Sequence, residues 1–590
     1  MRIAVLVKQV PVSESLRLVD GRLERDGVAV EVNAFCRRAN ALAVALRGAG
    51  EVVVFTMGPP SADDALREMV ACGADRGVHL CDPAFAGSDT LATARALALA
   101  VNAEGPFDLV LCGQSSLDAD TGQVGPQVAA LLSLPFAGPA RELRLDGRAL
   151  SIRAETDAGH RDVELSLPAL VSAAERLCDP SKAPRDLRAA VDPGSIRRVT
   201  AAQLGLRPHE AGAAGSPTTV GEPRTLEVTR AAVQAVDAAQ AVALLRDRGA
   251  LTPGPGAAAK LVAESGRSDL ATVWVVLADD APEGDRNVLM AAPPLAAALG
   301  GRVVAVVSSK GPEPGELSEQ GADEVLVLSG GDPAGELASL EAGLVRERPA
   351  VVLVEGTPSG RVAAATVAAR RGWGLIADAI EVAIAPDGRL EAWKSAFGGR
   401  LVAPVRSASD VQLCTVRPGA LPARTRRSSR SVPVRSLAPG AQRWLDLPTV
   451  VDERVLDHTA SALRRAEVVL GVGQGIDPAD YHRLGPLQAA LGGAELAATR
   501  KVTDRGWLPR SRQVGITGLT IAPRLYVALG ISGRFNHLCG VQGASTLLAV
   551  NADPSAEVFE QADVGLVGDW RVIVDDLVAA LEAERSGTQA

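Results

Sequence analysis

Asp108-Leu109-Val110-Leu111-Cys112-Gly113 returns later in the chain as Val351-Val352-Leu353-Val354-Glu355-Gly356. Each copy is an unbroken apolar run that ends at a glycine, followed by a loop containing Gly and Ser and then an Ala-rich stretch of helical type. A run that is apolar on both faces suits a strand inside a parallel sheet, where helices cover both sides. The flanks repeat as well. Upstream, the apolar run at 52–55 leads to Gly73-Ala74-Asp75, and the run at 303–307 leads to Gly321-Ala322-Asp323. Downstream, Asp146-Gly147-Arg148 and Asp387-Gly388-Arg389 each open an alternating, hairpin-like segment. We expect two related α/β domains with parallel sheets of the nucleotide-binding kind, over 1–190 and 268–445. Residues 191–267 are rich in Pro, Gly, Ala and Arg and read as an arm and linker, with helical spacing at 228–246. In such folds ligands sit at the carboxyl ends of the strands, near a topological switch point. The loops after Cys112 and Glu355 are therefore candidate sites.

A third strand–helix alternation over 446–590 is expected to be a doubly wound domain. It holds two small-residue turns, Gln513-Val514-Gly515-Ile516-Thr517-Gly518 and Gly530-Ile531-Ser532-Gly533-Arg534-Phe535-Asn536-His537. Both turns expose backbone N–H groups where a pyrophosphate could sit, with a hydroxyl (Thr517) and an imidazole (His537) beside them.

At 590 residues the chain exceeds one hydrophobic core. Its 47% hydrophobic and 22% charged content is that of a globular protein, with only 3% aromatic residues, so Ala, Val and Leu must build the cores. A net charge of -9 argues against general nucleic-acid binding, and the basic run at 424–435 reads as a solvated loop. The seven cysteines (Cys36, Cys72, Cys81, Cys112, Cys178, Cys414, Cys539) form no CxxC pair, and the six histidines form no HExxH. No metal site is expected, and a reducing, cytoplasmic setting fits. The first ten residues carry Lys8 in a strand-like pattern unlike a signal peptide, and no apolar run is long enough to span a membrane.

From 499 to 569 the chain resembles the FAD site of the alpha subunit of electron transfer flavoproteins. The matching elements are Thr499-Arg500, Trp507-Leu508-Pro509, the two turns above, Ala522-Pro523-Arg524-Leu525-Tyr526, Asn551-Ala552-Asp553-Pro554 and Asp563 to Asp569. The resemblance implies FAD bound by Arg500, Gln513, Val514, Gly515, Thr517, Gly530, Ser532, Gly533, Asn536, His537, Asn551 and Asp569. In that assignment Arg500 lies against the isoalloxazine and favours its anionic reduced states. Thr517 bonds near N5, His537 faces the N1/O2 edge, and Asn551 and Asp569 hold the adenosine end. Taken singly, His537 reads as a core histidine satisfied by backbone and Asp569 as a helix cap. The chain departs from the family at Gly471-Val472-Gly473-Gln474-Gly475. The family has a Gly-Gly-Arg-Gly turn there whose arginine contacts the flavin, so a neutral Gln474 is expected to make reduction harder.

The first domain resembles the beta subunit of the same flavoproteins through Val5-Leu6-Val7-Lys8-Gln9-Val10-Pro11, Asn33-Ala34-Phe35-Cys36, Thr56-Met57-Gly58-Pro59 and Asp118-Ala119-Asp120-Thr121-Gly122-Gln123-Val124-Gly125-Pro126-Gln127. This implies a second nucleotide, AMP or a second FAD with AMP leading, held by Leu6, Asn33, Phe35, Cys36, Met57, Asp118, Asp120, Thr121, Gly122, Gln123, Val124 and Gly125. Where ordinary beta subunits insert a leucine into a dehydrogenase, Pro184 or Arg185 stands here, with Leu187 nearby. The middle domain resembles the N-terminal domain of the alpha subunit. Arg361 and Phe397 are near the place a second flavin ring would take.

The expected function is FAD-mediated electron shuttling from a partner dehydrogenase to a downstream oxidoreductase or redox acceptor. The chain acts as a carrier rather than a stand-alone enzyme, as a monomer or homodimer. The alternatives are electron bifurcation from NADH through two FADs and, in another class, a non-redox nucleotide-binding sensor or scaffold. No nucleophile–base pair asks for bond-making catalysis, and no Walker-type GxxxxGK is present.

Overall fold

The structure, a computed structural model, describes all residues except 13–16, 20–21, 25–27, 117, 157–158, 226–229, 253–270, 279–286, 397–400, 422–429, 439, 441–446, 456–459, 516–517 and 589–590. Thr517, Phe397 and much of the basic run at 424–435 thus lie outside the described residues, as does the side chain of Asn536.

The repeat in the sequence is a repeat in topology. From one edge, the first sheet runs Ile196–Val199, Arg76–Leu80, Glu51–Met57, Arg2–Leu6, Leu109–Gly113, Ala169–Ala173, Phe136–Asp146, Ala149–Glu155, Gly159–Ser166 and Thr449–Val455. The second runs Val434–Ser436, Glu324–Val327, Arg302–Val307, Thr272–Val276, Val351–Glu355, Gln412–Val416, Leu375–Ile384, Leu390–Ala396, Leu401–Ser407 and Thr218–Val220. The two match position for position. Each is parallel as far as its seventh strand and antiparallel beyond it. Central strands are buried on both faces, as in Val351–Glu355, and each Val or Leu so enclosed contributes ~1.5–3 kcal/mol.

The last strand of each sheet comes from the chain segment that follows the other unit. Thr218–Val220 follows the first unit yet pairs antiparallel with Leu401–Ser407 of the second sheet. Thr449–Val455 follows the second unit yet pairs antiparallel with Gly159–Ser166 of the first. This reciprocal exchange ties the halves together. Asp89 shows how: one carboxylate oxygen caps the helix Thr90–Glu104 through Leu91 N and Ala92 N, and the other accepts from the backbone and hydroxyl of Thr218. The helices Val124–Leu132 and Pro358–Arg371 pack across the same boundary, with Leu91, Ala130 and Ala369 buried together.

The third sheet is parallel throughout, in the order Val233–Gln234, Val564–Val567, Thr546–Asn551, Leu525–Leu529, Val468–Val472 and Glu495–Ala498. Its first strand belongs to the segment expected as arm and linker. So does the helix Ala238–Asp247, whose Ala241, Val242 and Leu245 lie inside the third core. The spacing Ala238, Ala241, Val242, Leu245 is one face of a helix, which explains why that stretch seats there. Among the described residues no helix is long and apolar enough to cross a membrane.

The order in which strands are added reverses once in each sheet. It does so between Arg2–Leu6 and Leu109–Gly113, between Thr272–Val276 and Val351–Glu355, and between Val468–Val472 and Leu525–Leu529. Those three crevices are where a doubly wound fold binds ligands.

Candidate functional site

The third crevice is lined by the turns that leave its two flanking strands. Gly473 N donates to Leu529 O at 2.9 Å, and a Cβ at Gly473 would stand 2.1 Å from Gly530 O. Gly530 has φ +60 and Gly533 φ +88, a left-handed backbone that favours glycine, and a Cβ at Gly533 would meet Val558 N at 2.0 Å. The backbones are therefore in close contact where the two strands end.

Several residues of the expected flavin set converge on this place, with partners of their own. Val514 and Gly515 form a tight turn in which Gly515 N donates to Leu519 O at 3.1 Å. The buried Gln513 carboxamide accepts from the Thr503 hydroxyl at 2.7 Å, which fixes the start of that turn. Asn551 Nδ2 donates to Ile531 O at 2.9 Å, and its Oδ1 accepts from Asp553 N at 3.0 Å, so the side chain braces the Gly530–Gly533 loop. Ser532 is exposed. Asp569 caps the helix Trp570–Thr588 through Arg571 N at 2.9 Å and remains more than half exposed.

His537 is buried, and both ring nitrogens are engaged. Nδ1 lies 3.0 Å from Val514 O, which can only accept, so the proton is on Nδ1. Nε2 then accepts from the Tyr526 hydroxyl at 2.7 Å. Tyr526 itself fits because residue 471 is glycine: a Cβ there would stand 1.8 Å from the phenol oxygen. Burial pushes the imidazole down to about 4 from an ordinary 6.5, so the ring is neutral at physiological pH. Folding stability therefore falls with acid. Above pH ~6.5 neither state binds the proton; as pH falls from ~6.5 to ~4 the unfolded chain takes one that the folded chain refuses, a loss of up to ~3 kcal/mol. Thermal melts across that window are expected to fall steeply for the parent chain and less steeply for His537→Gln.

Arg500 opens the helix Arg500–Asp504 at the end of the strand Glu495–Ala498. Its guanidinium is held by Glu175 of the first unit at 2.8 Å and by Asp504 at 3.2 Å. Arg510 reaches the same Glu175 at 3.4 Å, and Arg176 lies 3.7 Å from Asp504. On the other side, the turn at Gly419 (φ +73) presses on Thr520, whose carbonyl would stand 2.5 Å from an added Cβ. The third body thus rests on the first unit through charges and on the second through close backbone contact.

The first crevice gathers the other expected set. Lys8 Nζ binds both Asp118 oxygens at 2.8 Å and Ser116 Oγ at 3.2 Å, holding the Asp118 carboxyl below its usual range despite burial. Asn33 Nδ2 donates to Ser115 O at 2.7 Å, while its buried Oδ1 has no partner among the described residues. Asp120 (φ 45) and Gly122 (φ 63) turn the loop so that it delivers the helix Val124–Leu132. Phe35 and Cys36 begin the helix Ala34–Leu46, packed so tightly on the strand end that a Cβ at Gly113 would lie 2.7 Å from that of Phe35. Leu6 is buried at its strand end, and Met57 and Thr121 are half-buried. Gln123 points elsewhere: its amide donates to Leu375 O of the second unit at 3.3 Å and accepts from Thr90 at 2.7 Å. It joins the halves rather than lining the loop. Gly125 likewise faces the sheet, where a Cβ would meet Cys112 Sγ at 2.9 Å.

Comparison with known proteins follows this division. The description "Electron transfer flavoprotein domain" matches residues 20–204 and 273–441, the two units of the repeat. The chain belongs to the electron transfer flavoprotein family. "Electron transfer flavoprotein FAD-binding domain" matches residues 462–542, which hold both turns of the third crevice. The chain is 36% identical over 236 residues to an electron transfer flavoprotein subunit beta of Thermoanaerobacterium thermosaccharolyticum, covering 39% of this chain and 90% of that one. It is 35% identical over 268 residues to an electron transfer flavoprotein subunit alpha of Mycobacterium leprae, covering 45% and 79%. It is also 36% identical over 241 residues to Protein FixB of Bradyrhizobium diazoefficiens, covering 40% of this chain and 64% of that protein, just under two thirds. The beta-like part comes first and the alpha-like part second, in one chain.

FAD is the cofactor of this electron transfer flavoprotein's third body, and the crevice fits it. Glycines at 473, 530 and 533 bring bare backbone to the switch point, as a bound pyrophosphate requires. Sequence reading placed Tyr526 in the matching series without giving it a role, and it missed Glu175, which nothing local marks as a partner of Arg500. The only sequence trace of Tyr526's role is the glycine at 471, placed inside a strand.

Proposed function

We propose that this chain carries electrons in the cytoplasm through FAD bound in the third crevice, from a partner dehydrogenase to a downstream oxidoreductase or redox acceptor. The first unit holds AMP as a second nucleotide. The observation that carries the reading is the pair of glycine turns meeting at the switch point of a body that rests on the first unit through ion pairs and on the second through close backbone contact. When bound, FAD takes up and releases electrons. Arg500, Gln513, Val514, Gly515, Thr517, Gly530, Ser532, Gly533, Asn536, Asn551 and Asp569 form its binding set. His537, neutral and doubly bonded, fixes the Val514 carbonyl and supplies neither proton nor charge. The functional division is 1–190, 191–267, 268–445 and 446–590, with residues 230–250 of the second segment serving the FAD body. Exposed Leu187, on the short helix Arg185–Ala189, is a contact for the dehydrogenase.

Glu175 holds Arg500 in the docked arrangement, so releasing it frees both the third body and the guanidinium. Glu175→Gln is expected to speed electron delivery to a soluble acceptor by ~2–10-fold, the scale of losing one or two partly exposed ion pairs of 0.2–1 kcal/mol each. Stopped-flow reoxidation of the reduced protein checks this; no change in rate would show that the contact does not gate transfer.

A second reading places a second FAD in the first unit, reduced by NADH. It is favoured by the positive charge that the second unit brings to the loop at 118–123. Asp378 is the stronger counter-charge to both Lys394 and Arg417 and pairs directly with Arg417, Asp120 acts on both more weakly, and the buried Lys394 ammonium has no hydrogen-bond partner among the described residues. Burial lowers its proton affinity, and an anionic group nearby would stabilise it. Anaerobic mixing separates the readings. Carriage predicts bleaching of the flavin by a substrate-reduced dehydrogenase and none by NADH alone; bleaching by NADH would favour the second FAD.

A further inference from the structure

The turn Gly473-Gln474-Gly475 leaves the strand Val468–Val472 at the mouth of the FAD crevice, and its one long side chain is neutral. A cation nevertheless stands there. The Gln474 carboxamide oxygen lies 2.9 and 2.7 Å from the two terminal nitrogens of Arg505. A guanidinium has only donors, so the oxygen must be the amide atom that faces it. The guanidinium also lies over the Trp507 ring, 4.9 Å from its centroid.

Neither neighbour cancels its charge. Among the described residues no carboxylate pairs with Arg505, whereas Arg500 is paired with Glu175 and Asp504, Arg510 with Glu175 and Arg512 with Glu495. Arg505 is thus oriented by two neutral groups, its planar fork held in advance so that little rotamer freedom is lost on meeting an anion. It follows the helix Arg500–Asp504 directly, so strand end, turn and cation form one local unit.

We propose that Arg505, positioned by Gln474 and Trp507, is the cation that stabilises the negative charge acquired by the bound flavin on reduction. The charge missing from residue 474 is thereby supplied from residue 505. This rests on the FAD assignment of the third crevice. It reverses the expectation that a neutral Gln474 makes reduction harder: the local charge is conserved and only its origin in the chain has moved.

The test uses the full-length chain and two readouts, the affinity of the apoprotein for oxidised FAD and the midpoint potential of the bound flavin. Removing a charge-assisted contact made to one redox state is expected to weaken reduced FAD ~10-fold more than oxidised FAD in Arg505→Gln, so the potential falls. Gln474→Leu, which keeps the charge and removes its holder, shifts the potential the same way by less. The transposed double variant Gln474→Arg/Arg505→Gln restores it. An unchanged potential in Arg505→Gln, or equal weakening of both redox states, as a contact to the pyrophosphate alone would give, overturns the proposal. A parent chain that retains no FAD would overturn the FAD assignment first, and FAD content measured before any substitution distinguishes the two failures.

Discussion

Gly473→Ala is expected to weaken retention of FAD strongly while leaving the rest of the chain folded. The added Cβ would stand 2.1 Å from Gly530 O and 2.6 Å from its carbonyl carbon. Those atoms are backbone, and Gly530 is itself anchored through its N–H to Val550 O at 3.0 Å, so no side chain can swing aside. One of the two turns must move, and the crevice they form opens. Overpacking of this kind costs ~1–3 kcal/mol, and transmitted to binding it would weaken FAD by ~10–100-fold. Gly492→Ala provides the control. That glycine has φ +83 but nothing within 4 Å of an added Cβ, so the substitution strains only its own turn. It is expected to lower the melting temperature slightly and keep FAD. Equal FAD content in the two purified variants would show that the close approach of the turns does not shape the cofactor site.

Asp563→Asn is the substitution expected to cost the most stability. Asp563 sits fully buried at the start of the strand Val564–Val567. It accepts from Leu547 N at 2.8 Å and from Arg230 at 2.8 Å, and it also pairs with Arg248. Arg230 is buried too, its side chain 5% exposed. Neutralising the carboxylate leaves that guanidinium without its counter-charge in a place water does not reach, which costs ~3–5 kcal/mol. The damage should be local. Residues 230–250 are joined to the third body by this cluster, by the two-residue strand Val233–Gln234 and by the apolar face of Ala238–Asp247. Hydrogen exchange at Ala232, Val233 and Ala235, whose N–H groups donate to Ala562, Asp563 and Gly565, is expected to accelerate before the first and second units respond. A uniform acceleration over the whole chain would contradict the view that this segment is a separable part of the FAD body.

The parts of the fold that could be read from sequence are those set by local chemistry. The strands around Val351–Glu355 and Leu109–Gly113 are continuous apolar runs because helices cover both faces, so period and length identified them. The reciprocal exchange of Thr218–Val220 and Thr449–Val455 could not be read. Both are edge strands with exposed residues such as Val220 and Val451, and their choice of sheet depends on an open edge far away in sequence. The same divide runs through the site. Glycines mark the turns at 473, 515, 530 and 533, since each serves a close approach or a left-handed backbone. What the long polar side chains do was not legible, because an arginine can reach any of several partners. Arg500 meets Glu175 across a body boundary, and Arg505 is held by Gln474. His537 stood out, but its hydrogen bond to Tyr526 in the strand Leu525–Leu529 did not: the reading set the imidazole against the N1/O2 edge of the flavin or, taken singly, against backbone, and the structure gives it Tyr526 and the Val514 carbonyl as protein partners.

The central claim is that the third crevice holds a redox flavin and the first a second nucleotide. Denaturing the freshly purified chain and quantifying the released FAD and AMP tests it most directly. The account predicts one FAD and one AMP per chain; a colourless protein that releases AMP and no flavin would contradict it.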